Sequence, residues 1–324
     1  MPTRGGSNQG RQGHRAVVTG GAGFIGSHLV QRLIDDDVAV LVVDDLSTGS
    51  VESVAASVEI ERCDIVTGPL ERLFRAWRPD VVYHLAAQAS VSLSQRDPMH
   101  DRAINVVGTY RVCAAAVAAA SQRLVFVSSG GAIYGETVRA ATERTVPAPA
   151  SYYGVHKLAA EGYVRVSGLP FAIARPSNVY GPGQRPGLEG AVIASFVAHA
   201  KASRPLRIDG DGQQTRDFVH VADVVRALCL IGTAATDNGG ISQDGIWNIA
   251  TGHQTTVLEL AALIDLAVGW PLGRSFASRR PGDVAHSRMT ARRLRMLGWR
   301  PSITLKSGIR ALVPNGQKSM GVIP

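Results

Sequence analysis

Cysteine is scarce: the 324-residue chain has only Cys63, Cys113 and Cys229, widely spaced and with no Cys-x-x-Cys pair. An odd, scattered set of this kind argues against a disulfide scaffold or a zinc ribbon, and no metal site is expected. It reads as free thiols in a reducing, cytoplasmic compartment. Long apolar runs are missing too. Stretches such as Cys113–Ala120 fall far short of the roughly 20 residues a bilayer span needs, so no membrane segment is expected. Met1–Arg15 is polar and glycine-rich without an apolar centre, and it reads as a disordered tail rather than a secretory signal. Apolar residues are not scarce overall. They make up 45% of the chain, which excludes a wholly disordered protein and allows a sizeable core.

Acidic residues are scarce at one end. From Pro271 onward, eleven Lys and Arg accompany a single Asp, whereas Ala16–Trp270 carries a net negative charge within a total of +8. A basic end suits nucleic acid or a small anion such as a nucleotide diphosphate. No helix-turn-helix, zinc finger or aromatic-interleaved RNA motif accompanies it, so no nucleic-acid partner is expected. Much of the run at Arg288, Arg292, Arg293, Arg295 and Arg300 reads as a solvated face.

Apolar β-branched runs alternate with helical periodicity through the first half. Ala16–Thr19, Val38–Val43, Asp80–Leu85, Leu124–Ser128 and Phe171–Ala174 read as strands. Ser27–Asp36, Ile104–Ala120 and Tyr153–Val166 read as helices. The alternation predicts an α/β fold of Rossmann type, a doubly wound parallel sheet. Beyond Asn178 the texture becomes irregular, with further helices expected at Val221–Ile231 and Val257–Val268. The division is therefore a 1–15 tail, a 16–178 dinucleotide-binding domain and a 179–324 smaller α/β lobe. The chain is allowed to cross between the two lobes.

Gly20, Gly23 and Gly26 follow the first strand and open the first helix, whose first turn holds Phe24 and Ile25. This is the context in which a tight turn, a close backbone approach and close packing together hold a pyrophosphate at a helix N-terminus. Asp44 ends the second strand, where a carboxylate accepts hydrogen bonds from ribose hydroxyls and repels a 2′-phosphate. No Arg or Lys follows it before Arg62, so NAD is preferred to NADP. Asp45 either joins it or caps the next turn. Tyr153 and Lys157 stand one helical turn apart on one face. An ammonium beside a phenol favours the phenolate, which makes Tyr153 a candidate general acid/base. Tyr152 lacks that spacing, and His156 reads as structural.

The Gly-x-x-Gly-x-x-Gly turn, Asp44 and Tyr-x-x-x-Lys together resemble the extended short-chain dehydrogenase/reductases. Within them, the chain is similar to the NAD-dependent epimerase/dehydratase family and its UDP-glucose and UDP-glucuronate 4-epimerases. The resemblance runs from Ala16 to about Ile309. It implies that Asp64 and Ile65 lie by the adenine, that Leu85, Ala86 and Ala87 lie under the cofactor, and that Asn105 and Ser128 are cofactor-side residues. It also implies a Ser or Thr on the reacting hydroxyl. That position by strict count is Gly130, so Ser129 is assigned in its place. Dehydratases and decarboxylases of the family carry an acid just after this residue. Gly131 and Ala132 stand there, and Glu136 is expected to point elsewhere, which favours epimerisation.

For the substrate, a UDP-sugar, the resemblance implies Asn178, Arg216, Arg280 and Asp283 on the nucleotide and diphosphate. Arg185 is either a clamp for a C6 carboxylate or a surface or phosphate-side arginine. Gln184-Arg185-Pro186 points to glucuronate and Gly187–Gly190 to a neutral hexose. The expected activity is 4-epimerisation through a transient 4-keto sugar. A nucleotide-sugar dehydratase or reductase, or a non-enzymatic NAD-sensing regulator, remain alternatives. A homodimer formed through the two long helices is the family expectation.

Overall fold

The computed structural model describes residues 14–187, 190–233, 245–279 and 284–313. Its strands, in chain order, are β1 (Arg15–Thr19), β2 (Ala39–Asp44), β3 (Glu59–Arg62), β4 (Val81–His84), β5 (Arg123–Val127), β6 (Phe171–Pro176), β7 (Asn178–Tyr180), β8 (Leu206–Asp209), β9 (Thr215–Arg216), β10 (Phe218–His220), β11 (Gly245–Ile249), β12 (Thr255–Thr256) and β13 (Arg274–Ala277). The helices are α1 (Phe24–Asp35), α2 (Leu70–Trp77), α3 (Val91–Arg96), α4 (Pro98–Arg102), α5 (Thr109–Ala118), α6 (Gly130–Ile133), α7 (Tyr152–Arg165), α8 (Val192–Lys201), α9 (Val221–Gly232), α10 (Val257–Val268), α11 (Arg292–Met296) and α12 (Leu305–Leu312).

Seven strands form one parallel sheet in the order β11-β6-β5-β4-β1-β2-β3. Its central strands are runs of buried Val, Leu and Phe, as a sheet covered on both faces requires. Leu29, Val30 and Leu33 of α1 and Val224, Leu228 and Ile231 of α9 cover one face. Phe74 of α2, Val112 and Ala116 of α5, and Ala160 and Val164 of α7 cover the other. Between β1 and β4 the strand order reverses, which opens a crevice at their C-terminal ends. A second apolar core joins α8, α10 and α12 through Phe196, Leu260, Ile264 and Ile309. Three small two-stranded sheets, β7–β10, β8–β13 and β9–β12, complete this lobe.

After β6 the chain enters the second lobe, then returns with α9 against α1 and β11 beside β6. Trp247 of β11 is fully buried, so the return seals an edge that would otherwise expose unpaired backbone. The expected helix Ile104–Ala120 is two pieces, a π-helical Ala103–Gly108 and then α5. The edge strand β3 was not foreseen, because Glu-Ile-Glu-Arg carries too little apolar alternation. No helix of the described residues is long and apolar enough to cross a membrane.

Candidate functional site

The crevice is one cavity of about 1320 Å³ that runs from the glycine turn to the second lobe. Gly20 has φ +71°, and a Cβ there would stand 2.6 Å from the Ala86 nitrogen. A Cβ on Gly26 would overlap the Gly20 carbonyl oxygen. The turn therefore holds α1 close under the end of β4. Gly23 is the N-cap of α1 and supplies no side-chain cap, so the first N–H groups of α1, at Phe24 and Ile25, face the cavity.

Asp44 is buried at the end of β2. Its carboxylate accepts from the Ala22 nitrogen at 3.0 Å and the Leu46 nitrogen at 2.9 Å, and burial raises its pKa. Asp45 caps the next turn, accepting from the nitrogen and hydroxyl of Ser47. Asp64 and Ile65 line the same end of the cavity, and Leu85, Ala86 and Ala87 form its floor. Beneath them, His84 lies between Thr19 Oγ1 (2.7 Å) and Thr109 Oγ1 (3.0 Å). Burial first, and then Lys157, push it down to about 3.

These residues fit NAD. The uncapped helix end suits a pyrophosphate, and Asp44 suits a ribose diol. Among the described residues the loop after Asp44 contributes Asp45, Ser47 and Thr48 to the cavity, and no cation for a 2′-phosphate. Ser128 Oγ is buried on the wall without a hydrogen-bond partner, a polar atom left for a ligand.

Asn105 does not reach the cavity wall. Its amide donates to Gln88 O (2.9 Å) and Asp101 Oδ1 (3.0 Å), so it braces the wall from behind. Sequence reasoning placed it on the cofactor side; it sits on the π-helical turn, and its Oδ1 is buried without a hydrogen-bond partner.

Ser151 caps α7 by accepting from the Gly154 nitrogen, and so fixes the first turn that presents Tyr153 to the cavity. The Tyr153 backbone nitrogen donates to Ser94 Oγ. Lys157 also lines the cavity but is only 2% exposed. Its Nζ donates to Val127 O at 2.8 Å and lies 4.2 Å from the Phe126 ring centre. Burial pushes its pKa down to about 7, against the opposing fields of Glu161 and Asp101.

Ser129 lines the cavity, whereas Gly130 does not. A Cβ on Gly130 would overlap Met289 Sδ. A side chain there would aim at Met289 rather than the cavity, so the wall hydroxyls after β5 are Ser128 and Ser129. Gly131 and Ala132 continue the wall with no acid. Glu136 accepts from the Ala285 and His286 nitrogens, both at 2.7 Å, and fastens the segment after residue 283 to the loop.

Asn178 and Arg216 line the far half of the cavity. Arg216 is buried and donates to Thr215 O (2.8 Å) and Ala285 O (3.3 Å). Arg185 stands exposed on the rim. Arg280 and Asp283 lie outside the described residues.

Arg204, Arg207, Asp209 and Gln214 also line this end, and sequence reasoning missed them because they match no fixed-spacing motif. The expected solvated arginine face is in part a set of carbonyl caps. Arg293 lies over Trp247 and donates to Ile246 O, Arg295 donates to Thr251 O, and Arg300 to Arg295 O.

A glycine-turn dinucleotide site sharing one crevice with a Tyr–Lys pair and a cation-bearing second lobe defines an enzyme of the short-chain dehydrogenase type. A family model described as the NAD dependent epimerase/dehydratase family matches residues 16–250, and the chain belongs to that family. It is 41% identical to a UDP-glucose 4-epimerase of Mycolicibacterium smegmatis, over 92% of this chain and 97% of that protein. The Thermus thermophilus UDP-glucose 4-epimerase in complex with NAD superposes with a TM-score of 0.86 at 38% identity, covering 91% of this chain and 96% of that one. MoeE5 in complex with UDP-glucuronic acid and NAD superposes with a TM-score of 0.82 at 33% identity, covering 92% and 97%. NAD is the cofactor of the family, and the residues of the cradle described above fit it.

Proposed function

We propose that the protein is an NAD-dependent 4-epimerase of a UDP-hexose, with UDP-glucose as the first candidate. One observation carries the choice of reaction. The acids on the cavity wall among the described residues are Asp44, Asp45, Asp64 and Asp209, and none stands on the elements that carry Ser129, Tyr153 and Lys157. Eliminating water from a sugar needs an acid for the leaving hydroxyl, whereas moving hydrogen on and off one carbon needs a single acid/base.

Held by the glycine turn and Asp44, NAD would supply reversible hydride acceptance for carbon 4 of the sugar. The protein's own groups handle the proton and the grip. Tyr153 as phenolate takes the proton of the 4-hydroxyl. Lys157 favours the phenolate by its charge. Ser129 hydrogen-bonds the same oxygen. The 4-keto sugar turns about its diphosphate link while Asn178 and Arg216 hold the diphosphate, with Arg280 and Asp283 assigned to the nucleotide. Tyr153 then returns its proton to the oxygen presented from the other face. A firm hold on UDP and a loose hold on the hexose follow from cations gathered at the far end of the cavity and a wall of Ser129, Gly131 and Ala132, without an acid, beside the sugar.

Two signals bear on the sugar. Identity of 41% with a UDP-glucose 4-epimerase favours the neutral hexose. Arg185 on the rim favours a carboxylate-bearing one, and this second reading rests on it alone. Proton NMR of the NAD-loaded protein with UDP-glucose, and separately with UDP-glucuronate, decides. Conversion of UDP-glucose supports the first reading. If UDP-glucuronate is the one converted, Arg185→Ala is expected to lower that rate about 10- to 100-fold, the worth of a charged hydrogen bond. No conversion of either sugar overturns the proposal and favours a dehydratase, reductase or NAD-sensing regulator.

A homodimer is part of the same proposal. Tyr110 and Val117 of α5 and Val155 and Tyr163 of α7 form an exposed apolar face on two adjacent helices, with the Tyr110 and Tyr163 rings 5.7 Å apart. Sedimentation at micromolar concentration is expected to show a dimer that Val155→Asp converts to monomer, and a monomeric wild type would refute it. A cytoplasmic setting, where thiols such as Cys63, Cys113 and Cys229 stay free, belongs to the same proposal.

A further inference from the structure

Behind the cavity wall lies a carboxylate that the reaction above does not use. Asp101 of α4 is fully buried. Its Oδ1 accepts from Gln88 Nε2 at 2.5 Å and Asn105 Nδ2 at 3.0 Å, and its Oδ2 stands 2.6 Å from His156 Nδ1. These partners come from the loop after β4, the π-helical segment and α7. Among the described residues no lysine or arginine pairs with it. A carboxylate without a permanent cation is costly to bury, which directs attention to the charge it faces.

The Lys157 ammonium, on the residue after His156, lies within the field of Asp101. The titratable and charged groups around Lys157 are Tyr153, His156 and Glu161 on its own helix, Asp101 on α4, His84 on β4 and Arg175 on β6. Glu161 is already matched: Arg175 Nε and Nη2 donate to its two oxygens at 2.8 and 2.5 Å. His84 is held neutral between two hydroxyls. Among the described residues, Asp101 is therefore the one nearby carboxylate without a permanent cation.

We propose that Asp101 is a positioning residue that keeps the Lys157 ammonium charged beside Tyr153, with His156 as the adjustable partner of its carboxylate. The inference rests on the reading of Tyr153 and Lys157 as the acid/base pair. The direction agrees with the field of Asp101, which opposes the lowering of the Lys157 pKa by burial. The His156 side chain is slightly exposed and does not line the cavity.

The test uses the full-length, NAD-loaded protein. The sequence has four lysines, so ¹³C-labelled lysine resolves the Lys157 side chain by NMR, assigned by its loss in Lys157→Met. Asp101→Asn keeps an acceptor for Gln88 and Asn105 and removes the charge. It is expected to lower the pH at which Lys157 titrates by about one pH unit. His156→Arg, which places a fixed cation on Asp101, is expected to shift it the same way. His156→Gln, a neutral donor, is expected to leave it within a few tenths of a unit. Equal NAD content in all variants confirms an intact site.

An unmoved Lys157 titration in Asp101→Asn overturns the inference. If that variant does not fold, identical titrations in His156→Arg and His156→Gln overturn it. The basic limb of the kcat–pH profile is expected to follow the Lys157 titration. A titration that moves while the profile stays fixed leaves Asp101 in its role and strikes instead at the reading of Tyr153 and Lys157.

Discussion

Tyr153→Phe is expected to lower kcat for the UDP-sugar by about 10²- to 10⁴-fold, the usual worth of a positioned acid/base, and to leave NAD content and UDP affinity unchanged. The substitution removes one hydroxyl from a half-buried ring whose helix is fixed independently. Ser151 caps α7, and Ser94 accepts from the residue's backbone nitrogen. Lys157 is held by Val127 and Phe126 whatever residue 153 carries. The loss therefore belongs to the proton step rather than to binding. Steady-state rates with a UDP titration check it. A loss smaller than tenfold would transfer the acid/base role to another group, with Ser129 the first to test. An NAD-sensing regulator would behave differently, retaining its ligand response in the Phe variant.

The legible parts of the site were the local ones. A glycine turn, the carboxylate closing the next strand and a Tyr–Lys spacing on one helix each lie within a single turn or helix, so short-range geometry sets them. The illegible parts depend on contacts between distant segments. The sequence assigned Ser129 in place of the hydroxyl residue missing at Gly130. What it did not show is Met289, which packs against Gly130 from a segment bound to the same loop through Glu136 and leaves Ser129 on the cavity wall.

Asn105 was legible only as a cofactor-side residue for a related reason. A motif marks its position but not the π-helical turn that aims it at Gln88 and Asp101. Asp101 itself gave no signal, because an Asp near a helix start reads as a solvent-facing cap until the fold closes over it. The return of β11 to the sheet was hidden too. Five residues beyond a long irregular stretch carry no mark of which edge they will pair with. The basic C-terminal run looked like one feature and is several, with arginines divided between capping carbonyls and covering Trp247.

Gly26→Ala is expected to strip NAD from the purified protein and to destabilise it. The methyl group would overlap the Gly20 carbonyl oxygen, and the Gly21 Cα would be 2.8 Å away. Both are backbone atoms and cannot rotate aside as a side-chain tip would. Gly20 cannot retreat either, because its own α-carbon is packed against Ala86 and its nitrogen donates to Val43 O at 2.9 Å. Relief must come from α1 moving away from the turn. Overpacking of this kind costs about 1–3 kcal/mol.

The cost to the cofactor is larger than the cost to the fold. Moving α1 withdraws the N–H groups of its first turn from the pyrophosphate position and breaks the alignment of helix end and turn that holds the anion. Absorbance of the released dinucleotide reads the first effect, and thermal unfolding of the wild type stripped of NAD against the variant reads the second. A variant that retains stoichiometric NAD would show that the turn yields without moving the helix, and the pyrophosphate grip would then have to lie elsewhere along the crevice. Gly23→Ala makes the contrast. A Cβ there meets only the Gly20 oxygen at 3.2 Å, so the fold is expected to survive while the methyl intrudes on the space left for the phosphates. NAD loss with an unchanged unfolding temperature of the stripped protein is the expected signature.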